Sequence, residues 1–515
     1  MPTAGQIIVS VLVENGVDRI FCVPGESYLG LLDAVYGHPS IDTVVCRHEA
    51  GAGFMALADA RLTGRVGIAC VSRGPGASNA AIAVHTAQQD DVPFLLLVGQ
   101  VARGDLRRDA FQEIDYGHMF GRIAKWTAEV TDPAMAAETM ARAVRVATTG
   151  LPGPVVVALP EDVLTASFAS PPPPMRQPPA AAAPDPATLA RLRTLLASAE
   201  RPLVLSGSGV GPEERARLLA FLEAWNLPSV VSFRRQDLLP NTHRLYAGDM
   251  GLSNPAGQMA ALREADLLLV LGARLSDITT QGYTFPRPVR PEPILAHVHA
   301  DPGVIGLQFG CDLPIACPIP AFLDAIGLPA QVPAGREDWI ERLSAERRKI
   351  AAPRDFAVSD GVPFERVVER VGRHLPPDAI VTVDAGTFGA PVYRVVPFAP
   401  PQRLLAPISG AMGFGIPAAV AAALREPTRP VICFVGDGGL LMTGSELAVA
   451  LERRLPLKVI VSENRSYGSI RIQQERDYPG RVVGTSFTNP DLALLGQAYG
   501  CTVTRIGSEA ELDRI

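Results

Sequence analysis

The stretch VICFVGDGGLLMTGSELAVALERRLPLKVIVSENRSYG, residues 431–468, decides the fold. It opens on an apolar run at 431–435 and passes through Gly436-Asp437-Gly438 into a helix-length segment. It then returns to a second apolar run at 459–461 that ends on Glu463-Asn464. Continuous apolar runs, as opposed to alternating ones, suit strands covered on both faces. Two such strands joined by a helix-length segment form a parallel crossover. The same rhythm recurs outward along the chain, with runs at 66–71, 94–98, 155–159, 203–205, 267–271 and 380–383. The expected fold is therefore α/β, with three doubly wound parallel-sheet domains. In such sheets, ligands sit beyond the carboxyl ends of the strands.

Length agrees with three domains, since 515 residues is a little over three times the ~150 typical of one. The boundaries come from composition. Residues 168–186 read FASPPPPMRQPPAAAAPDP, a proline-rich and extended spacer. A second linker is expected over 329–360. It begins rich in Pro, Ala and Gly and continues into a charged segment, 339–349, that reads as a solvated helix, the alternative being a clamp between domains. This division gives domains at 1–167, 187–328 and 361–515.

Hydrophobic residues make up 47% of the chain and charged residues 19%, enough apolar surface for large cores. The net charge is −6, which argues against a nucleic-acid footprint. Cysteines stand at 22, 46, 70, 311, 317, 433 and 501. No pair has C-x-x-C spacing, so buried thiols in a reducing compartment are expected over zinc or disulfides. The first residues, MPTAGQIIVSVLVENG, have no basic region of the kind that opens a signal peptide. The longest apolar run, 411–424, is broken by glycines and Pro417 and is too short to span a bilayer. A cytoplasmic protein without a membrane partner is the expectation.

Common catalytic signatures are missing from the sequence. There is no Walker loop and no serine with glycines two residues to either side, and His48-Glu49 is not followed by a histidine at 52. Residues 207–211, GSGVG, are either a plain strand–helix turn or a nucleotide contact, with Pro212 breaking the dinucleotide pattern. The Asp437 turn is more informative. Its glycines let backbone approach an anion, and the following helix supplies N–H groups and the positive end of its dipole. Asp437 and Asn464, at neighbouring strand ends, offer a carboxylate and an amide oxygen. That donor pair suits Mg²⁺ shared with a diphosphate. The alternative is an Asp-Gly turn and a surface Asn.

G-D-G followed 27 residues later by Asn464, with Gly468 four beyond, resembles the thiamin-diphosphate motif. The resemblance extends along nearly the whole chain, to acetolactate synthase-like enzymes. VPGESYLGLLDAVY, RHEAGAGFMALADARLTGR, SRGPGASNA, the 88–100 region and DAFQEID resemble their pyrimidine-binding domain. DAGTFGAP and SGAMGFGIPAA resemble their diphosphate-binding domain, and GARLSD their central one. The resemblance implies thiamin diphosphate and Mg²⁺ as cofactors, with FAD an open expectation for the central domain. It makes Asp437, Asn464 and the Ser466 carbonyl metal ligands. It puts Gly386, Thr387, Phe388, Gly436, Gly438, Gly439, Tyr467 and Gly468 around the diphosphate, and Gly410 and Met412 under the thiazolium. Gly25, Gly74, Pro75 and Asn79 would wrap the pyrimidine.

Glu49 is implied as the acid that bonds the aminopyrimidine N1′ and drives loss of the C2 proton. A carboxyl buried in an apolar site suits that exchange; the plain alternative is a helix-start capping residue. Glu26 reads either as a second acid–base group or as an acid favoured by a helix dipole. Gln112, with Phe111, would line the substrate side, or would belong to a packed helix start. His85 and His118 read as structural.

The implied reaction decarboxylates a 2-oxo acid such as pyruvate and ligates the resulting enamine to a second carbonyl. The implied assembly is a homodimer or homotetramer in which Glu49 of one subunit serves the cofactor held by another. Three positions depart from acetolactate synthases. Ile278 stands where an arginine would hold the second oxo acid, Gln473 replaces a tryptophan, and Glu161 replaces a lysine. Glu463 replaces the first asparagine of the motif's pair. These leave a 2-oxo acid decarboxylase or an aldehyde carboligase as the alternative enzyme. A catalytically silent cofactor-binding regulatory paralogue is the alternative of another class.

Overall fold

The computed structural model describes residues 1–169, 176, 182–354, 358 and 360–515. Most of the expected 168–186 spacer and a few residues of the second linker lie outside that set. The chain divides into two compact units. One comprises Met1–Pro179, Ile380–Gly389 and Leu405–Arg505, and the other Ala180–Ala379, Ala390–Leu404 and Ile506–Ile515.

Three sheets carry the fold, and every described strand pair is parallel. The first contains β1 (Arg19–Cys22), β2 (Asp42–Val45), β3 (Gly67–Ser72), β4 (Phe94–Gln100), β5 (Trp126–Glu129) and β6 (Pro154–Pro160), in the order β2-β1-β3-β4-β6-β5. The second contains β7 (Pro202–Ser206), β8 (Ser229–Val231), β9 (Tyr246–Asp249), β10 (Leu267–Leu271), β11 (Ile294–His299) and β12 (Leu313–Ala316), in the order β12-β11-β10-β7-β8-β9. The third contains β13 (Ile380–Val383), β14 (Arg403–Leu405), β15 (Val431–Gly436) and β16 (Leu457–Ser462), in the order β14-β13-β15-β16. The second and third orders reverse direction once, after β9 and after β14, while the first reverses after β2 and again after β5; each sheet is wound both ways from an inner strand, the doubly wound pattern expected from the sequence.

In the first unit, small residues let helices approach closely. The Glu49–Thr63 helix is buried from Ala50 to Ala60. It packs against the alanine-rich Gly415–Arg425 helix, where the Phe54 and Phe414 rings meet edge to face at 5.6 Å. A Cβ on Gly53 would lie 2.3 Å from the Ala83 Cβ, so no larger residue fits between this helix and Arg73–Asp90. Arg425 binds Asp18 and Asp59 with four hydrogen bonds of 2.8–3.0 Å, and Arg19 bridges Asp42 and Asp59 beside it. Seven described thiols are free, as expected, and five of them are buried.

In the second unit, β7 and β10 are wholly buried. The charged segment read as a solvated helix is corrected here. It forms the Glu337–Ala351 helix, and Trp339, Ile340, Leu343 and Arg347 line its buried face. Trp339 Nε1 donates to the Pro202 carbonyl at 2.8 Å. The apolar positions recur at helical spacing, but the many charges between them mask the stripe in a linear reading.

Candidate active site

The quoted stretch folds as read. β15 delivers Gly436 at its carboxyl end, and Asp437 begins the Asp437–Thr443 helix. β16 runs parallel to β15 in register from Val431–Leu457 to Gly436–Ser462, which brings Asn464 beside Asp437. Asp437 is 2% exposed. Its Oδ2 accepts the Asn464 N–H at 3.1 Å, the Arg465 N–H at 2.6 Å and the Asn489 Nδ2 at 2.9 Å, while Oδ1 accepts the Gly438 N–H at 2.9 Å. Asn464 Oδ1 accepts the Ser466 N–H at 3.0 Å. The carboxylate direction is thus fixed before any ligand arrives.

Three loops converge on this turn. A Cβ on Gly438 would meet Tyr467 Cε1 at 2.9 Å and Met412 Cε at 3.4 Å. A Cβ on Gly468 would meet Asn464 Nδ2 at 3.2 Å and Thr387 Oγ1 at 3.4 Å, and one on Gly436 would meet Phe388 Cε1 at 2.9 Å. Thr387 donates its N–H to Ser469 Oγ at 3.1 Å. Gly386–Phe388, Met412, Gly436–Gly439 and Asn464–Gly468 therefore line one cradle. Among the described residues, no group of three or more His, Cys, Asp or Glu side chains is placed to hold a metal. One carboxylate with amide and carbonyl oxygens is the set Mg²⁺ takes when a phosphate completes its shell. The Asn489 Oδ1, buried and without a partner, adds a further polar atom beside Asp437.

Two residues of this site escaped the sequence reading as individual groups. Asp384, fully buried, holds the loop that carries Met412. Its Oδ1 accepts the Ala385 N–H at 2.6 Å and the Gly413 N–H at 2.9 Å, and its Oδ2 accepts the Gly413 and Gly415 N–H groups at 3.0 Å. Asp384 opens the DAGTFGAP stretch, so its signal was present there. Asn489 lies far along the chain in an Asn-Pro turn, and only folding brings it to Asp437. A third carboxylate, Asp90, accepts the Ile408 and Ser409 N–H groups at 3.0 and 2.8 Å and anchors the approach to Gly410.

A second cluster surrounds Glu49, the first residue of its helix, with His48 as N-cap accepting the Ala50 N–H at 3.1 Å. Asn79 Nδ2 donates to Glu49 Oε2 at 2.9 Å, and a Cβ on Gly76 would lie 3.5 Å from Glu49 Oε1. The expectation of a buried Glu49 is corrected within the single chain, where the side chain is only partly covered. Gly25 packs on Ser72, and Gly74 donates its N–H to the Gln112 carbonyl at 2.9 Å. Gly25, Gly74 and Gln112 therefore meet at the carboxyl end of β3, while Pro75 is exposed on the first turn of the Arg73–Asp90 helix and Asn79, a turn further along it, reaches Glu49. Glu26 is exposed and opens a short 3₁₀ turn, Glu26–Tyr28.

Phe111 and Gln112 do not start a helix. They form an exposed turn in which Phe111 is 73% exposed and Gln112 has φ +64°. His85 is exposed, and His118 pairs with Asp115 at 2.9 Å. Glu161, which stands where a lysine was expected, pairs with Arg73 at 2.8 Å, so the reversed charge has a local partner. Ile278 lies half-buried in a turn of the second unit, and Gln473 is exposed.

Residues 2–119 match the N-terminal TPP binding domain of thiamine pyrophosphate enzymes, residues 189–326 their central domain, and residues 384–515 their C-terminal TPP binding domain. The chain is 33% identical to the acetolactate synthase large subunit of Lactococcus lactis over 97% of its own length and 87% of that protein. It is 31% identical to the acetolactate synthase isozyme 3 large subunit of Escherichia coli, covering 100% of this chain and 91% of that one. With the Corynebacterium glutamicum large subunit the figures are 30%, 99% and 83%. Among the described residues, no helix is long and apolar enough to cross a membrane. Matches to all three domain models, with large-subunit relatives 30–33% identical over nearly the whole chain, make this chain a member of the thiamine pyrophosphate enzyme family, an acetolactate synthase-like enzyme that depends on that cofactor.

Proposed function

We propose that the chain decarboxylates a 2-oxo acid such as pyruvate and joins the product to a second carbonyl compound, with Mg²⁺ as the partner of the cofactor. The convergence of the Asp437 turn, the Thr387 turn and the Asn464–Gly468 loop is the observation that carries this reading. Bound thiamin diphosphate supplies a carbon nucleophile and an electron sink that lets carbon dioxide leave. Asp437 Oδ1, Asn464 Oδ1 and the Ser466 carbonyl would hold Mg²⁺. The helix beginning at Asp437 would direct its N–H groups and dipole at the diphosphate. Met412 would shape the floor beneath the ring system. Glu49 would exchange a proton with the pyrimidine N1′, and Asn79, bonded to its carboxylate at 2.9 Å, would orient it. Glu26 and Gln112 lie on the exposed side, where a substrate's own polar groups would be met. In this assignment 1–167 binds the pyrimidine and 361–515 the diphosphate. Two or four copies share sites, so that the partly exposed Glu49 becomes covered by a partner. The chain works in the cytoplasm.

A flavin, where carried, belongs at the switch point between β7 and β10, where Gly209 donates to the Gly272 carbonyl at 2.7 Å and glycines line both strand ends. Ile278 favours a second reading, that of a decarboxylase or a carboligase for aldehyde acceptors. An aliphatic side chain gives a carboxylate no charge-assisted bond, a loss of about 1.5–3 kcal/mol. Proton NMR of the protein with thiamin diphosphate, Mg²⁺ and pyruvate tests both readings. Acetolactate is the expected product. Acetaldehyde alone selects the decarboxylase, and a ligated product formed only with added aldehyde selects the aldehyde carboligase. Cofactor binding without turnover on pyruvate or larger 2-oxo acids refutes the proposal.

A further inference from the structure

Glu446 is fully buried, yet no part of the reaction as described uses it. Its carboxylate faces the first turn of the Glu49 helix. Oε1 accepts the Arg47 N–H at 3.1 Å and the His48 N–H at 2.9 Å, and Oε2 accepts the same Arg47 N–H at 3.1 Å. These are the two residues immediately before Glu49. A Cβ on Gly51, the third residue of that helix, would lie 2.2 Å from Glu446 Oε1 and 2.6 Å from Cδ. The carboxylate is therefore seated flush against the helix end, and only glycine leaves room for it.

We propose that Glu446 is a positioning residue for the reaction, fixing the backbone from which Glu49 projects and so the direction of the Glu49 carboxylate. This rests on the proton-exchange role assigned to Glu49. A helix N-terminus exposes N–H groups that need acceptors, and an acidic side chain there also meets the favourable end of the dipole. His48 Nδ1 serves the Ala50 N–H, so Glu446 serves the donors just ahead of it. Glu49 is then held from two sides: the two residues just ahead of it by Glu446, and its side chain by Asn79 at 2.9 Å. Within one chain the contact runs between two part-sites: the helix that begins at Asp437 passes into the 3₁₀ turn Gly444–Glu446, and Glu446 meets the start of the helix that carries Glu49. Burial raises the Glu446 carboxyl to about 7 against the N–H bonds from Arg47 and His48, so the position is occupied at a cost.

The test uses the full-length protein saturated with thiamin diphosphate and Mg²⁺. The exchange rate of the cofactor C2 proton against deuterium is read by quenched NMR, and cofactor affinity by calorimetry. Glu446→Ala and Gly51→Ala are each expected to slow exchange by about 10- to 100-fold with cofactor affinity nearly kept, since misplacement by about 1 Å has effects of that order. Glu446→Gln, which retains one oxygen acceptor for both N–H groups, is expected to recover most of the rate. Glu49→Gln is the reference. If it abolishes exchange while every folded Glu446 and Gly51 variant exchanges at the wild-type rate, the positioning role is overturned. If Glu49→Gln itself exchanges normally, the assignment of Glu49 fails instead. Should Glu446→Ala not fold, Glu446→Gln and Gly51→Ala carry the same comparison, with a slow Gly51→Ala supporting the role and two wild-type rates rejecting it.

Discussion

Replacing Asp384 by alanine should loosen the loop that carries Met412 and is proposed to lie under the cofactor. The carboxylate is fully buried and accepts N–H groups from Ala385, Gly413 and Gly415 at 2.6–3.0 Å. Bonds to a charged group contribute about 1.5–3 kcal/mol each, and a buried donor left without a partner costs about 1–3 kcal/mol. Three such bonds would sum beyond 4.5 kcal/mol, but single substitutions rarely exceed about 4–5 kcal/mol because the site relaxes and admits water. We expect a local loss of about 3 kcal/mol, which is roughly 100-fold in an opening equilibrium. Hydrogen exchange of a peptide covering 405–420, followed by mass spectrometry in the cofactor-free protein, measures that opening directly. Cofactor affinity should fall by about tenfold, the low end for loss of a residue that orients a binding group. Asp384→Asn, keeping one oxygen acceptor, should fall between wild type and Asp384→Ala. Acceleration below about threefold in Asp384→Ala would refute the reasoning, because three buried donors losing their acceptor must register locally.

Asp437→Ala removes the proposed metal ligand and unpairs the Asn464 and Arg465 N–H groups. Calorimetry with Mg²⁺ should show cofactor affinity reduced by about 100-fold or more, while Asn489→Ala, which removes only an orienting bond, should lose about tenfold; unchanged affinity in Asp437→Ala rejects the metal assignment. Glu446 has a folded pKa raised to about 7 from 4.5, so its contribution to stability is present below 4.5 and is lost as pH rises to 7. Melting temperatures of wild type relative to Glu446→Gln should therefore decline across that window, and parallel curves would contradict a carboxyl whose pKa is raised by burial. For Asp18, burial acts to raise the pKa, but hydrogen bonds from Arg425 and Arg65 overcome it and hold the group down at about 2. Its contribution is lost as pH falls from 3.8 toward 2, and acid-unfolding curves of Arg425→Ala should lack that component. At neutral pH the same variant, by stripping a buried partner from Asp59, should cost about 3 kcal/mol, read as a lowered melting temperature.

The sequence by itself determined the fold class and the geometry of the Asp437 turn. Continuous apolar runs such as 267–271 and 431–435 can satisfy themselves only as covered parallel strands, and both appear at or within a residue of those bounds. The Gly436-Asp437-Gly438 turn is local, so its helix start and its pairing with Asn464 follow from two strand ends in register. Short strands of mixed polarity, such as Asp42–Val45 and Trp126–Glu129, had no comparable signal, because their burial depends on what packs over them. The Glu337–Ala351 helix was misread for a related reason: its charges dominate the composition, while burial selects only Trp339, Ile340, Leu343 and Arg347. Only the tertiary structure decided which carboxylates hold the site together. Asp384, Asp90 and Glu446 each accept backbone N–H groups, those of Asp90 and Glu446 lying hundreds of residues away. A lone acid in a helix or at a strand end looks the same in sequence whether it faces water or a buried loop. Its role appears when the donors it serves lose every other partner, and that happens only on folding.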